Sequence, residues 1–215
     1  MESLSFKERV VKIAIEQAIS YKNVFVDYEY LFCSEAFINQ DYYIISAKPD
    51  NYRHLIGVNT IVSADDFFKK CINGELKEDD FDFFKNGRSE KEIKGSVRRK
   101  IKSLPHLTSM IGKNLIVQEN YNKNGILCSF ATTDCDITVG FINEGKSRPK
   151  TLLWGDSLDW DKSAFVDLVL RRKIGEKHFS DIVVGDIELV QKYQDKIKDV
   201  ISDDLLNILK GELVV

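Results

Sequence analysis

From residue 114 onward the chain breaks into short β-rich runs: Leu115-Ile116-Val117, Ile126-Leu127-Cys128-Ser129-Phe130, Ile137-Thr138-Val139-Gly140-Phe141-Ile142 and Thr151-Leu152-Leu153-Trp154. The gaps hold Asn122-Lys123-Asn124-Gly125, Asp134 and Asn143-Glu144-Gly145, residue types that accept the backbone angles of turns. Connections this short cannot carry a crossover helix, so they join neighbouring strands as hairpins. An antiparallel meander is therefore the most constrained part of the fold. Thr132, Thr133 and Asp134 read as one of its turns, and Ala164 to Leu170 and Asp181 to Val184 are further strand candidates.

The flanking segments are mainly helical. Over residues 5–20, Val10, Val11, Ile13, Ala14, Ile15, Ala18 and Ile19 recur among charges with the spacing of one buried helix face. Residues 24–32 are rich in β-formers and read as strand, with a buried helix as the alternative. Tyr42 to Ala47 is a second strand, stopped by Pro49. Ser63 before Asp65-Asp66 caps a helix that ends at Asn73-Gly74. Residues 88–103 read as helix, ended by Pro105, and the tail from Ile187 to Lys210 is helical again. Helices, then hairpins, then helices is the segregation of an α+β fold. The expected units are an N-terminal helix at 1–22, an α+β domain at 23–186 and a helical extension at 187–215.

Composition excludes several classes. No apolar run approaches the roughly 20 residues of a membrane helix, and Met1 to Glu8 lacks the apolar stretch of a signal peptide. A cytoplasmic protein is expected. Cys33, Cys71, Cys128 and Cys135 form no Cys-x-x-Cys pair and read as free thiols. With three histidines, none beside a cysteine pair, no metal site is expected. The sequence contains no nucleotide phosphate loop, dinucleotide fingerprint, nucleophile elbow or zincin motif, so no cofactor is expected either.

The net charge of −3 is unevenly spread. Between Lys85 and Lys102, eight basic residues (Lys85, Arg88, Lys91, Lys94, Arg98, Arg99, Lys100 and Lys102) face only Glu90 and Glu92. On a helix Lys91, Lys94 and Arg98 share a face with Lys102 a turn further on. Such a stripe suits phosphate neutralisation, although a solvated helix face has the same composition.

His54 lies between Arg53 and a Leu-Ile-Gly turn, with Lys48 nearby. A histidine beside a cation has its proton affinity lowered, which suits a general base near neutral pH. Read from its neighbours alone, the commoner role for such a histidine is structural. His106, after Pro105, reads as a turn residue. His178 sits in a second basic cluster from Arg171 to Lys177, and Arg148 opens a strand at Arg148-Pro149-Lys150-Thr151.

The order of Tyr43-Ile44-Ile45, Asn51-Tyr52-Arg53-His54-Leu55-Ile56-Gly57 and Phe67-Phe68-Lys69-Lys70-Cys71-Ile72-Asn73-Gly74-Glu75-Leu76 resembles a known family. It is the fourth of the phage Barnase–EndoU–colicin–RelE-like nuclease domains. Its members show an Asn-Phe-x-His-Leu-Thr-Gly signature after a short strand, then a helix with an aromatic pair and an Asn-Gly-x-Leu end. Lys100 to Pro105, Thr138 to Phe141 and Pro149 to Leu153 also fit, so the resemblance spans residues 25–185. Tyr52 replaces the usual phenylalanine, and Ile56 replaces the usual threonine, removing any hydroxyl role there.

The resemblance implies a barnase- or RelE-like architecture, with N-terminal helices on an antiparallel sheet of four to six strands and C-terminal helices beyond it. It also implies RNA cleavage without metal, by a protein acting as toxin or defence effector. The residues that would carry this are His54 as base or acid, with Arg53 and Arg148 stabilising charge on the phosphate. Lys48, Arg98, Arg99, Lys102 and Lys173 would contact RNA. An antitoxin or other protein partner, and oligomerisation through the terminal helices, are consistent with such a role. Two other classes stay open: an RNA-binding module without catalysis, and a protein-interaction factor that inhibits a host or phage system.

Overall fold

The computed structural model describes residues 4–123 and 125–211. Helix α1 (Phe6–Tyr21) starts at a capping box: the Ser5 hydroxyl accepts from the Glu8 N–H, and the Glu8 carboxylate accepts from the Ser5 N–H. A π-helical turn at Lys22–Val26 leads into strands β1 (Tyr28–Cys33) and β2 (Tyr43–Ile45). The short helix α2 (Asn51–Ile56), strand β3 (Asn59–Thr60), helix α3 (Ala64–Asn73), strand β4 (Phe81–Asp82) and helix α4 (Glu90–Leu107) follow. The second half runs through β5 (Ile116–Glu119), β6 (Asn122–Lys123), β7 (Ile126–Leu127), β8 (Phe130–Thr133), β9 (Ile137–Glu144) and β10 (Lys146–Trp154). Strands β11 (Ser163–Phe165), β12 (Leu168–Lys173) and β13 (Asp181–Val184) precede helices α5 (Ile187–Ile197) and α6 (Asp203–Leu209).

The main sheet has nine strands in the order β11-β5-β8-β9-β10-β2-β1-β12-β13. It is mixed, because β10 pairs antiparallel with β9 but parallel with β2, through Ser147 and Ile45. This corrects the expected antiparallel sheet of four to six strands, although the chain remains α+β. The meander β8–β9–β10 forms as the turn residues require. The sheet then grows beyond it by pairings between strands far apart in sequence, such as Tyr28 with Lys173. Turn chemistry announces only hairpins, so these additions leave no local signature.

Strand alternation sorts the core into two sides. Tyr30, Phe32, Tyr43, Ile45, Val139, Phe141 and Leu152 meet Val10, Ala14 and Ala18 of α1, Tyr52 and Leu55 of α2, Phe67 of α3, and Val97 and Leu104 of α4. On the opposite face, Leu31, Cys33, Leu168 and Leu170 pack with Val190, Tyr193 and Ile197 of α5 and Leu205 of α6. Helices α1–α4 therefore cover one side and α5–α6 part of the other.

Four local expectations change. Part of the 24–32 segment is a π-helical turn, with strand only from Tyr28. The Leu55-Ile56-Gly57 stretch, expected as a turn, instead holds the end of helix α2 (Asn51–Ile56) and its Gly57 cap. Pro105 lies inside α4, which continues to Leu107; a proline in the last turn forfeits one backbone bond without ending the helix. Thr132 and Thr133 are buried β8 residues, and the turn falls on Asp134–Asp136, with Cys135 at φ 74°.

Candidate functional site

Helix α2 is held by one face. Tyr52, Leu55 and Ile56 have the i, i+3, i+4 spacing of a buried stripe, and all three are fully buried. The Tyr52 hydroxyl donates to the Ala14 carbonyl of α1 at 2.7 Å. Ahead of the helix, the Asn51 amide oxygen accepts from the Lys48 N–H at 2.8 Å and closes the turn. With that face pinned, Arg53 and His54 are left on the open side, and His54 is exposed. Ile56, where the family signature carries threonine, belongs to the core and not to this open side.

The helix ends at Gly57, whose φ of +87° lies in the left-handed region that favours glycine. Lys100 of α4 crosses this end. A Cβ on Gly57 would lie 2.7 Å from Lys100 Cδ, so the missing side chain leaves room for the lysine stem. The Lys100 ammonium donates to the His54 carbonyl oxygen at the negative end of the helix dipole.

Cations gather here. The His54 proton affinity is held below its ordinary value by partial burial, then by Arg53, Lys100 and Lys85, with Asp50 opposing. Because the His54 surface is open to water, the neighbouring cations are the firmer of these causes. Lys100 is pushed down to about 8 by burial and by Lys85. Among the described residues, three buried side-chain atoms lack a hydrogen-bond partner: Asp50 Oδ1, Arg53 Nε and Ser147 Oγ. The first two frame α2. The third is on β10, on the sheet face that also carries Ile45 and Phe141 and is covered by the first helical layer. Buried polar atoms without a partner are rare, so each of these three calls for a bond from outside the protein's own side chains.

The other sequence candidates scatter. Lys48 is exposed in the turn before α2. Arg148 lies one residue from Pro149, which pairs with Phe141 on the helix-covered face; alternation therefore sends Arg148 to the opposite face, 3.9 Å from Glu144. It does not join His54. Arg98 rests over the Phe6 ring at 5.2 Å, and Lys94 pairs with Glu90 at 2.7 Å and stands over Phe83, so much of the expected stripe leans on its neighbours. Arg99 is exposed, Lys102 stands over Trp154, and Lys173 ends β12 opposite Tyr28. Lys100 and Lys85 are the site cations that sequence reading did not single out. Eight basic residues in one stretch look alike until the packing shows which one turns inward.

Comparison with family models matches this chain to a phage-associated nuclease-like domain. The chain belongs to the phage-Barnase-EndoU-ColicinE5/D-RelE like nuclease4 family, whose model matches residues 15–202. Comparison with curated proteins and with solved structures returned no match. Among the described residues no helix is long and apolar enough to cross a membrane.

Proposed function

We propose that this chain is a metal-independent endoribonuclease of phage or mobile-element origin, acting on RNA at the open side of α2. The observation that carries the reading is the gathering of Arg53, Lys85 and Lys100 around His54, opposed by Asp50, with the Lys100 ammonium bonded to the His54 carbonyl. A nuclease family implies a nucleic-acid substrate, and a cation cluster without matching anions suits a phosphate.

Neutral His54 takes the proton of a ribose 2′-hydroxyl, whose oxygen then attacks the adjacent phosphorus. Arg53 stabilises the charge that builds on the phosphoryl oxygens. The 5′-oxygen leaves with a proton from the Lys100 ammonium, whose lowered affinity suits an acid near neutral pH. The products are a 2′,3′-cyclic phosphate and a free 5′-hydroxyl, and one proton has passed from His54 to Lys100 through solvent at the end of the cycle. A role as toxin or defence effector follows if the target is cellular tRNA or mRNA.

The test is incubation of purified protein with total RNA in EDTA, followed by end analysis. Cyclic phosphate ends that vanish in His54→Ala support the proposal. Intact RNA with wild-type protein overturns the nuclease reading, and salt-dependent binding without cleavage would favour the RNA-binding module instead.

A further inference from the structure

Trp154 closes β10 in an unusual position. The β9–β10 register pairs it with Ile137, and Leu152 two residues earlier is in the main core, so the indole points to the sheet face that carries α2 and α4. It does not enter that core and remains 42% exposed. The Lys102 ammonium stands 3.7 Å from the ring centroid, and the His106 ring meets it edge-on at 5.4 Å. Arg99, Lys102 and His106 are spaced i, i+3, i+7 and form one stripe along α4. Among the described residues none of the three has an acidic partner within ion-pair distance.

An open indole beside unpaired cations is the arrangement with which proteins hold unpaired bases. The base stacks on the ring while the cations meet the backbone. The preference this creates is for single strands, because a duplex keeps its bases stacked on each other. We propose that Trp154, with Lys102 and Arg99, is a stacking subsite for one unpaired base of single-stranded RNA, built on the same helix α4 that carries Lys100. The subsite rests on the reading of the α2–α4 cluster as an RNA site. On binding, Lys102 leaves the ring for the phosphate and the base takes its place.

The test uses Trp160→Phe protein, in which Trp154 is the sole indole of the chain's two. It is titrated with a 2′-O-methyl single strand that cannot be cleaved, with the same sequence as a duplex, and with an abasic strand of equal length. The single strand should quench Trp154 fluorescence, whereas the abasic strand should bind without quenching and the duplex should leave the signal unchanged. Trp154→Ala should weaken single-strand binding roughly ten-fold or more and leave abasic binding as it was, while Trp154→Phe retains most of the affinity. Salt-dependent binding with no quenching and no effect of Trp154→Ala overturns the subsite and leaves the α2–α4 reading intact. Failure of every strand to bind overturns both.

Discussion

The Lys100 ammonium is bonded to the main-chain carbonyl of His54, so the candidate acid and the candidate base are joined through one backbone group on different helices. The bond holds the Lys100 ammonium at the backbone of His54, so the packing of α4 on α2 sets where the ammonium sits. Such fixing is what proton transfer from two directions requires.

The first consequence concerns pH. The proposed mechanism needs neutral His54 and charged Lys100. His54 loses its proton below the ordinary histidine range, and Lys100 loses its own at about 8. The rate should rise through the acidic limb, level off near neutrality and fall above about 8. Lys100→Arg should move the alkaline fall upward or abolish it. A rate still rising at pH 9, measured with a defined RNA, would remove Lys100 from the acid role.

A second prediction concerns His54 itself. The ring is exposed, so His54→Ala should leave the melting temperature within a degree or two and lower cleavage on the order of 100- to 10,000-fold. Arg53→Ala should also reduce cleavage. Arg148→Ala, which alters the other sheet face, should change it less than about two-fold if single-turnover rates are compared.

Gly57 supplies a stability test. Gly57→Ala meets a left-handed φ and the Lys100 stem at 2.7 Å, and should cost about 1–3 kcal/mol in urea unfolding. Combining it with Lys100→Ala removes the clash but not the backbone strain, so only part of the loss should return. Full additivity in the double-mutant cycle would show that the two residues do not touch.

Glu29 gives a test away from the site. Burial alone would raise its carboxyl, but bonds from Lys146, Ser46 and Arg172 outweigh this and hold it below the ordinary range. Its stabilising effect is thus present above the ordinary carboxylate value and lost as pH falls through the lower folded value. Glu29→Gln leaves Arg172, hydrogen-bonded at 2.6 and 2.9 Å, without its counter-charge and should cost about 3 kcal/mol at neutral pH. The difference between variant and wild type should shrink in acid, as read by chemical denaturation across pH.

Local chemistry made several of these elements readable in advance. Ser63 caps α3 and Gly74 ends it in the left-handed conformation, as the residue types require. The β9–β10 hairpin turns at Gly145 as the residue types place it, whereas the expected strand Ile126–Phe130 splits between β7 and β8 and the next turn shifts past Thr133. What escaped depends on distant partners. Nothing around Ile45 announces Ser147, and nothing in a run of eight cations distinguishes Lys100 from Arg99. At the site, His54 and Arg53 were legible as a cation-flanked histidine. The face on which Arg148 emerges was not legible, because the side taken by a strand residue depends on register, and register is settled by the partner strand.

The parallel contact between Ile45 and Ser147 has a further meaning for synthesis. The strand under α2 is made about a hundred residues after α2 itself, and closing so long a loop is slow compared with forming a hairpin. While the ribosome is still translating the first helices, α2 has no floor and Lys100 no fixed neighbour. A nascent chain therefore carries the chemical groups without their arrangement. Whatever the site does, it is therefore complete only once β10 has emerged from the ribosome.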